Sequence, residues 1–337
     1  MTQINPTQLP AGQWHNVPLS LPGAPGNSDA IMHAFVRRGR KAGPTLFITA
    51  AMHGDELNGL EIIRRFMRSR RLTSLQGTVI VVPVVNVHGF GMGSRYLPDR
   101  RDLNRVFPGS AKGSLAGRVA EVLMQEVVLK SDFGIDLHTA AIHRYNVPQI
   151  RAELENRVVE GMAMAFGVPL VLNSELREGS LRESAGQNQI PVIVYEAGEA
   201  LRLDEISIKA GVRGIENVMT HLGMISNSRR TRLPTSQAVA DSSYWERAGD
   251  SGVFHNLVKP GTYIKKDQLL ARIISPSTMQ ASEVRASRAG ILVGLTQMAL
   301  VYEGDALFHI ARYRGMHEDV ANQVERFHEE LGPDFGT

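Results

Sequence analysis

The sequence predicts an α/β fold, with a mostly parallel or mixed sheet between helices, followed by a smaller C-terminal all-β domain. Two observations predict the first part: runs such as Thr78–Asn86 have the β-branched composition of strands buried on both faces, and segments with helical spacing alternate with them. The all-β part is predicted because short strands and turns replace this alternation after about Gly223. The predicted domains are 1–230, 235–314, and a C-terminal helix and tail over 315–337.

In the α/β part, each predicted strand is a short apolar run, and most of these runs lead into a segment of helical periodicity. The predicted strands are Pro44–Ala51, Thr78–Asn86, Phe133–Leu137, Pro169–Asn173 and Pro191–Glu196. The predicted helices are Leu57–Arg70, Ser114–Leu129, Glu153–Phe166 and Ile206–Leu222. Since ligands of such sheets bind beyond the carboxyl ends of the strands, functional residues are expected there.

The C-terminal part follows a Ser/Thr/Arg-rich segment, Ser226–Ala240, which is predicted to be a linker. Two segments, Val258–Leu270 and Leu300–Phe308, resemble the turn-and-strand element of biotinyl/lipoyl-type hammerhead barrels. The lysine that such carriers modify is missing near Arg285–Arg288, so a barrel used for packing or oligomerisation is expected. His317–Leu331 is predicted to be an amphipathic helix.

Composition restricts the function classes. Hydrophobic residues make up 43% and charged residues 21% of the 337 residues, as in globular proteins. The net charge is only +3, and the sequence has no basic run interleaved with aromatic residues, so no nucleic-acid partner is expected. Because there is no cysteine, a metal must be bound by His, Asp or Glu. No signal-peptide pattern and no apolar run of roughly 20 residues is present, which predicts a cytoplasmic protein without a membrane partner.

Three residues at strand ends predict a metal site. His53 and Glu56 form an H-x-x-E pair just after the first predicted strand, and His138 follows Phe133–Leu137. If both strands belong to one parallel sheet, these side chains meet at the same edge. Two histidines and one carboxylate form the protein ligand set of a catalytic zinc, with a fourth position left for water. One Zn²⁺ per chain is therefore predicted.

Two further polar segments belong to the same predicted edge. Asp102-Leu-Asn104-Arg105 lies in a loop after the second strand, with Arg95 shortly before it. Glu196 ends the last β-branched run and precedes a Gly turn, which predicts a positioned general base.

The segments HGDE, DLNR, DLHT and EAG, in this order and at these spacings, resemble the succinylglutamate desuccinylase/aspartoacylase family, a branch of the zinc carboxypeptidase fold. The resemblance covers residues 30–225 approximately, and the C-terminal β domain fits the family's two-domain plan. It implies a zinc carboxypeptidase-like fold in which His53, Glu56 and His138 bind zinc. It also implies that Glu196 is the general base and acid of hydrolysis.

The resemblance further implies how a substrate is bound. Asn104 and Arg105 match the pair that binds a substrate carboxylate. Arg95 resembles the arginine that polarises the scissile carbonyl, although it lies two residues farther from the Asn than in the aspartoacylase pattern. Arg182 is predicted to be a second contact for a carboxylate or acyl group. From their position after the third ligand in the sequence, His143, Arg144 and Asn146 are predicted to line the pocket rim.

These residues predict a zinc-dependent amidohydrolase that removes an acyl group from an N-acyl amino acid or a related small carboxylate. Two alternatives remain open: a carboxypeptidase-type enzyme for short peptides, and a metal-binding homologue without activity. The sequence also leaves open the acyl group, a homo-oligomeric assembly, and the approach of Tyr244, Tyr263 or Tyr302 to the active site.

Overall fold

The computed structural model describes residues 3–24, 28–226, 237–313 and 317–332, which form one twelve-stranded mixed sheet and one four-stranded antiparallel sheet. The strands are β1 (Trp14–Ala24), β2 (Ser28–Arg38), β3 (Lys41–Ala50), β4 (Gln76–Val82), β5 (Phe133–Ala140), β6 (Arg144–Ala152), β7 (Leu170–Asn173), β8 (Val192–Glu199), β9 (Ala238–Arg247), β10 (Gly252–Asn256), β11 (Tyr263–Ile264), β12 (Leu269–Ile274), β13 (Ala281–Arg285), β14 (Gly290–Thr296), β15 (Leu300–Val301) and β16 (Ala306–Tyr313). The α-helices are α1 (Asn58–Phe66), α2 (Val87–Gly91), α3 (Leu115–Glu126), α4 (Arg157–Phe166), α5 (Leu181–Gln187), α6 (Glu205–His221) and α7 (His317–Leu331), and the 3-10 helices are Pro6–Gln8, Arg70–Ser74, Leu103–Arg105 and Val128–Lys130. Among these helices, none has the length and apolar character needed to cross a bilayer.

The large sheet has the order β1-β2-β4-β3-β5-β8-β6-β7-β9-β16-β14-β11. Its centre, β4-β3-β5-β8, is parallel, as the alternating pattern predicts. The predicted α/β strands correspond to β3, β4, β5, β7 and β8, and the predicted helices to α1, α3, α4 and α6, with shifted ends. The sequence analysis did not identify the antiparallel strands β1, β2 and β6, nor the short helices α2 and α5.

Apolar layers cover both faces of the central strands. Along β3, Leu46 and Ile48 pack into one core with α1, α4 and α6, whereas Phe47 packs into a second core with α3 and α5. In β4, Val81 and Ile80 divide in the same way. Burial of each side chain of this size stabilises the fold by about 1.5–3 kcal/mol. Because successive side chains of these strands are buried on opposite faces of the sheet, every position favours an apolar residue. The predicted α/β class is confirmed.

The C-terminal strands continue the large sheet. β9 pairs in parallel with β7, and β16 and β14 follow; β14 also pairs with β6, which closes a ring of five strands, β6-β7-β9-β16-β14. A C-terminal β-rich segment is therefore present. Its strands β9 and β14 are hydrogen-bonded to β7 and β6 of the α/β part, whereas β10, β12, β13 and β15 form the separate four-stranded sheet. The predicted division at 230 and 235, most of the predicted linker, and the tail beyond 332 lie outside the described residues, so these domain boundaries stay a prediction.

Candidate active site

Three parallel neighbours, β3, β5 and β8, bring the predicted residues to one edge of the sheet. His138 and Glu196 are register partners in β5 and β8, and His53 lies just beyond the end of β3. The loop after β3 packs closely on α2, since a Cβ on Gly54 would lie 2.1 Å from the Gly89 carbonyl carbon. Only glycine allows this approach, which holds His53 and its loop over the strand ends.

The metal group predicted from the sequence is assembled. Glu56 lies between the two histidines, with Oε1 2.7 Å from His53 Nδ1 and Oε2 2.8 Å from His138 Nδ1. All three side chains are buried, and their ligand atoms lie within 4.8 Å of one another, so the group could hold a metal ion. The opposite ring nitrogens contact carboxylates: His138 Nε2 is 2.8 Å from Asp136, and His53 Nε2 is 3.1 Å from Asp102. Such contacts fix ring orientation and direct both Nδ1 atoms toward Glu56, the third residue of the group.

Glu56 and Asp102, the carboxylates beside His53, are held in their ionised form. Burial raises the pKa of Glu56, but the adjacent His53 and His138 outweigh it and hold the pKa well below its usual range. Burial likewise opposes ionisation of Asp102, and here His53 and Arg95 lower the pKa of the carboxyl. Both carboxylates are therefore ionised at neutral pH. A buried set of two imidazoles and one ionised carboxylate fits the donor chemistry of a catalytic zinc.

Arg95, Asn104 and Arg105 line the same cavity. Arg95 donates to Asp102 Oδ2 at 2.8 Å and lies 3.6 Å from Glu56 Oε1, so it borders the metal group. Asn104 lies in the 3-10 helix Leu103–Arg105, and its Oδ1 accepts the Leu181 amide at 2.9 Å. The Asn104 Nδ2 group is consequently the one oriented to donate to a ligand.

Glu196 also lines the cavity, and two donors hold one of its oxygens. Asn146 Nδ2 donates to Oε2 at 2.8 Å, and Arg151 Nη2 lies 2.9 Å from the same oxygen. Both residues come from β6, the strand that pairs antiparallel with β8.

The cavity has a volume of about 210 Å³ and an excess of cationic side chains. Its described lining contains three carboxylates and six arginines: Glu56, Asp136, Glu196, Arg95, Arg105, Arg144, Arg151, Arg177 and Arg182. Sequence reasoning missed two of these arginines. The β6 residue Arg151 was missed because the strand was not predicted, and nothing in the sequence distinguishes Arg177 from surface arginines.

The arginines far from the metal group have few compensating charges. Burial, together with the nearby Arg151, lowers the pKa of Arg182 to about 10. Its guanidinium donates to the neutral Glu175 carbonyl at 2.6 Å. The predicted rim residue Arg144 lies over the ring of Trp245, 5.4 Å from its centroid. This end of the cavity is therefore suited to an anion.

The C-terminal segment contributes a tryptophan to the cavity rather than a tyrosine. Trp245 of β9 lines the wall and stacks on His309 of β16 with ring centroids 4.7 Å apart. Tyr244, Tyr263 and Tyr302 are absent from the described lining.

With this geometry in hand, the family follows from comparison. Residues 42–222 match the family model of the succinylglutamate desuccinylase/aspartoacylase catalytic domain. This chain belongs to that family of hydrolases. The resemblance predicted from the four motifs is confirmed.

Relatives of the chain agree with this assignment. One is the N-alpha-acetyl-L-2,4-diaminobutyric acid deacetylase of Halomonas elongata, 30% identical over 291 residues that cover 82% of this chain and 84% of that protein. Among solved structures, the ectoine utilization protein EutE (DoeB) of Ruegeria pomeroyi has a TM-score of 0.80 at 24% identity, over 90% of this chain and 98% of that one. A succinylglutamate desuccinylase/aspartoacylase of Rhodobacter sphaeroides has a TM-score of 0.81 at 23% identity, over 89% and 96%. These two likenesses establish the shared fold.

Proposed function

We propose that this protein is a zinc-dependent deacylase that hydrolyses the amide bond of an N-acyl amino acid or a related small carboxylate. The observation that carries the proposal is one cavity lined by His53, Glu56, His138 and Glu196 together with asparagine and arginine side chains. His53, Glu56 and His138 would hold the zinc ion, which would act as a Lewis acid toward the amide carbonyl and would lower the pKa of water. Glu196 accepts a proton from the attacking water and delivers it to the leaving amine.

The surrounding residues bind and orient the substrate. Arg95, bordering the metal group, donates to the negative charge that develops on the carbonyl oxygen; one such donor is worth about 3 kcal/mol in comparable sites. The planar guanidinium of Arg105 and the Nδ2 group of Asn104, whose Oδ1 is occupied by the Leu181 amide, bind the carboxylate of the amino acid.

The charge excess of the cavity supports an anionic substrate. The described lining of the cavity contains six arginines and only three carboxylates, and a bound divalent metal ion would increase the positive charge further. We therefore propose that the preferred substrate has a second carboxylate on its acyl group, and that this carboxylate binds near Arg177 and Arg182. The Halomonas relative is named for an acetylated substrate, so acetyl and dicarboxylic acyl groups are the informative comparison.

The test combines metal analysis with a substrate panel. Purified protein is expected to hold one zinc per chain and to release amine from N-acetyl or N-succinyl amino acids. Dipeptides are tested separately as the alternative substrates. Glu196→Gln is the matched control, because it should keep zinc while losing turnover. Turnover of dipeptides alone would make the enzyme a carboxypeptidase-type peptidase. Absence of zinc binding together with absence of turnover would make the chain an inactive homologue.

A further inference from the structure

Asn146 donates a hydrogen bond to Glu196 and Arg151 forms an ion pair with it, and both contacts fall on a single oxygen. Asn146 and Arg151 both contact Oε2, at 2.8 and 2.9 Å, and among the described residues no hydrogen bond is made to Oε1. A carboxylate held through one oxygen has a fixed orientation, and its other oxygen is the one that can accept a proton. The donors on Oε2 therefore decide where the basic oxygen of Glu196 points.

Asn146 is enclosed between two strands. It is 7% exposed, and its register partners are Gly198 in β8 and Gly294 in β14. A Cβ on Gly294 would lie 2.4 Å from Asn146 Oδ1 and 3.2 Å from the Tyr145 carbonyl oxygen, so the amide rests directly on the bare backbone of β14. The register of β14 against β16 also shifts between Leu292 and Gly294, which places Gly294 at an irregularity of the strand.

The direction of the Asn146 amide follows from its neighbours. An ionised carboxylate only accepts hydrogen bonds, so the group facing Glu196 must be the NH₂ of the amide. The oxygen of the amide then points to β14, as observed. Contact with Gly294 limits the space in which the amide can rotate away.

We infer that Asn146 is a positioning residue for Glu196, and that the C-terminal strand β14 holds Asn146 in place through Gly294. The inference rests on the proposed function, because it assumes that Glu196 acts as the base. The C-terminal segment would then contribute to catalysis indirectly. Its strand β14 pairs with β6 and holds Asn146, which orients Glu196. Arg151 also contacts Oε2, but its positive charge belongs to the arginine-rich end of the cavity as well. Asn146 is neutral, so a change at Asn146 tests the orientation of Glu196 without changing the charge of the cavity.

The first experiment changes Asn146 alone. Asn146→Ala removes the donor, and Asn146→Asp keeps its shape but replaces the donor by an acceptor. In both, kcat is expected to fall about 10- to 100-fold, the range for losing a hydrogen bond to a charged group, with KM within about twofold and zinc content unchanged. If wild-type protein turns over substrate and either variant keeps the wild-type kcat, the inference is overturned while the proposed function stands. If wild-type protein has no turnover, the proposed function itself fails.

The second experiment links Asn146 to β14 by a double-mutant cycle. Gly294→Ala is expected to lower kcat by about tenfold in the wild-type background and to have little effect in the Asn146→Ala background, where the obstructing amide oxygen is gone. Gly249→Ala is the matched control, because a Cβ there meets nothing within 4 Å, and it should leave kcat unchanged. An equal effect of Gly294→Ala in both backgrounds would show that β14 does not act through Asn146. If Gly294→Ala fails to fold, the folded double variant with the kcat of Asn146→Ala alone supports the link, and a further loss of kcat overturns it.

Discussion

The two ends of the cavity differ in how their charges are balanced. At the metal end, the two histidines contact carboxylates through both ring nitrogens, and Arg95 bonds to Asp102. At the arginine end, Arg177 forms no ion pair among the described residues, and the Arg182 guanidinium bonds to neutral groups. The charges of the first end are paired with one another and could hold a cation, whereas the second end has cationic charge left for an anion from outside.

The difference also extends to the chain segments involved. The metal end comes from short motifs at the ends of β3 and β5. The arginine end comes from β6, from the first turn of α5 and the loop before it, and from the wall formed by β9. A metal demands a fixed ligand set and short distances. A carboxylate can be bound by arginines that reach it from several elements.

The largest expected effect separates the two ends. His138→Ala removes a proposed zinc ligand, and loss of both zinc and turnover is expected. The fall in zinc affinity should exceed the roughly 10- to 100-fold caused by removing a hydrogen-bond partner of a ligand. Metal analysis and kcat check this. His255→Ala, in the C-terminal strand β10, is the control that should keep both. Full zinc content in His138→Ala would remove this residue from the metal group.

A smaller change at the metal end should weaken zinc binding without touching substrate. Asp136 contacts His138 Nε2 at 2.8 Å and accepts Thr49 Oγ1 at 2.7 Å. Asp136→Asn is expected to lower zinc affinity about 10- to 100-fold, with KM at saturating zinc unchanged. Competition with a chelator measures the affinity. Asp132→Asn, on an exposed carboxylate before the same strand, should bind zinc like the wild type, and an identical affinity in both variants would refute the role of Asp136.

At the arginine end the expected change is in KM. Arg182→Ala and Arg177→Ala should raise KM about tenfold for a substrate with a carboxylate on its acyl group, since each removes a charged hydrogen-bond donor. Zinc content and the KM for an N-acetyl substrate should change little. The exposed Arg157, which pairs with Glu160, provides the control Arg157→Ala. Equal KM changes for both substrates would contradict an acyl-side carboxylate.

A change in stability rather than in catalysis is expected at His309, on which the cavity residue Trp245 stacks. Burial, with Arg151 and Arg177 nearby, lowers the pKa of His309 to about 3, so the folded protein keeps it neutral. In the unfolded chain it titrates near 6.5, and the stability it provides is therefore present above that pH and is lost as pH falls, by up to about 1.4 kcal/mol per unit. Wild-type protein should lose about 2 kcal/mol more than His309→Gln between pH 7 and 5 in urea unfolding. His255→Gln should behave like the wild type, and equal losses in His309→Gln would show that His309 does not contribute.

Much of the metal end could be predicted because its chemistry is local in sequence. His53 and Glu56 are three residues apart, and His138 and Glu196 each terminate an apolar run, so the parallel-sheet rule alone brings them to one edge. The β-branched composition of the central strands likewise follows from burial on both faces. The antiparallel strands β1, β2 and β6 were not recognised, because amphipathic or interrupted runs resemble loops when their partners are unknown.

The sequence by itself determined the α/β class, the family and the residues that could bind a metal, since strand composition and short motifs depend on neighbouring residues. Only the tertiary structure decided that Arg151 and Arg177 join the cavity, that Trp245 rather than a tyrosine forms its wall, and that Asn146 lies between Glu196 and Gly294. The physical reason is that these contacts join segments far apart in the chain, and strand pairing sets them. The pairing of β14 with β6 brings the C-terminal segment to the active site, and no local pattern in either strand specifies it.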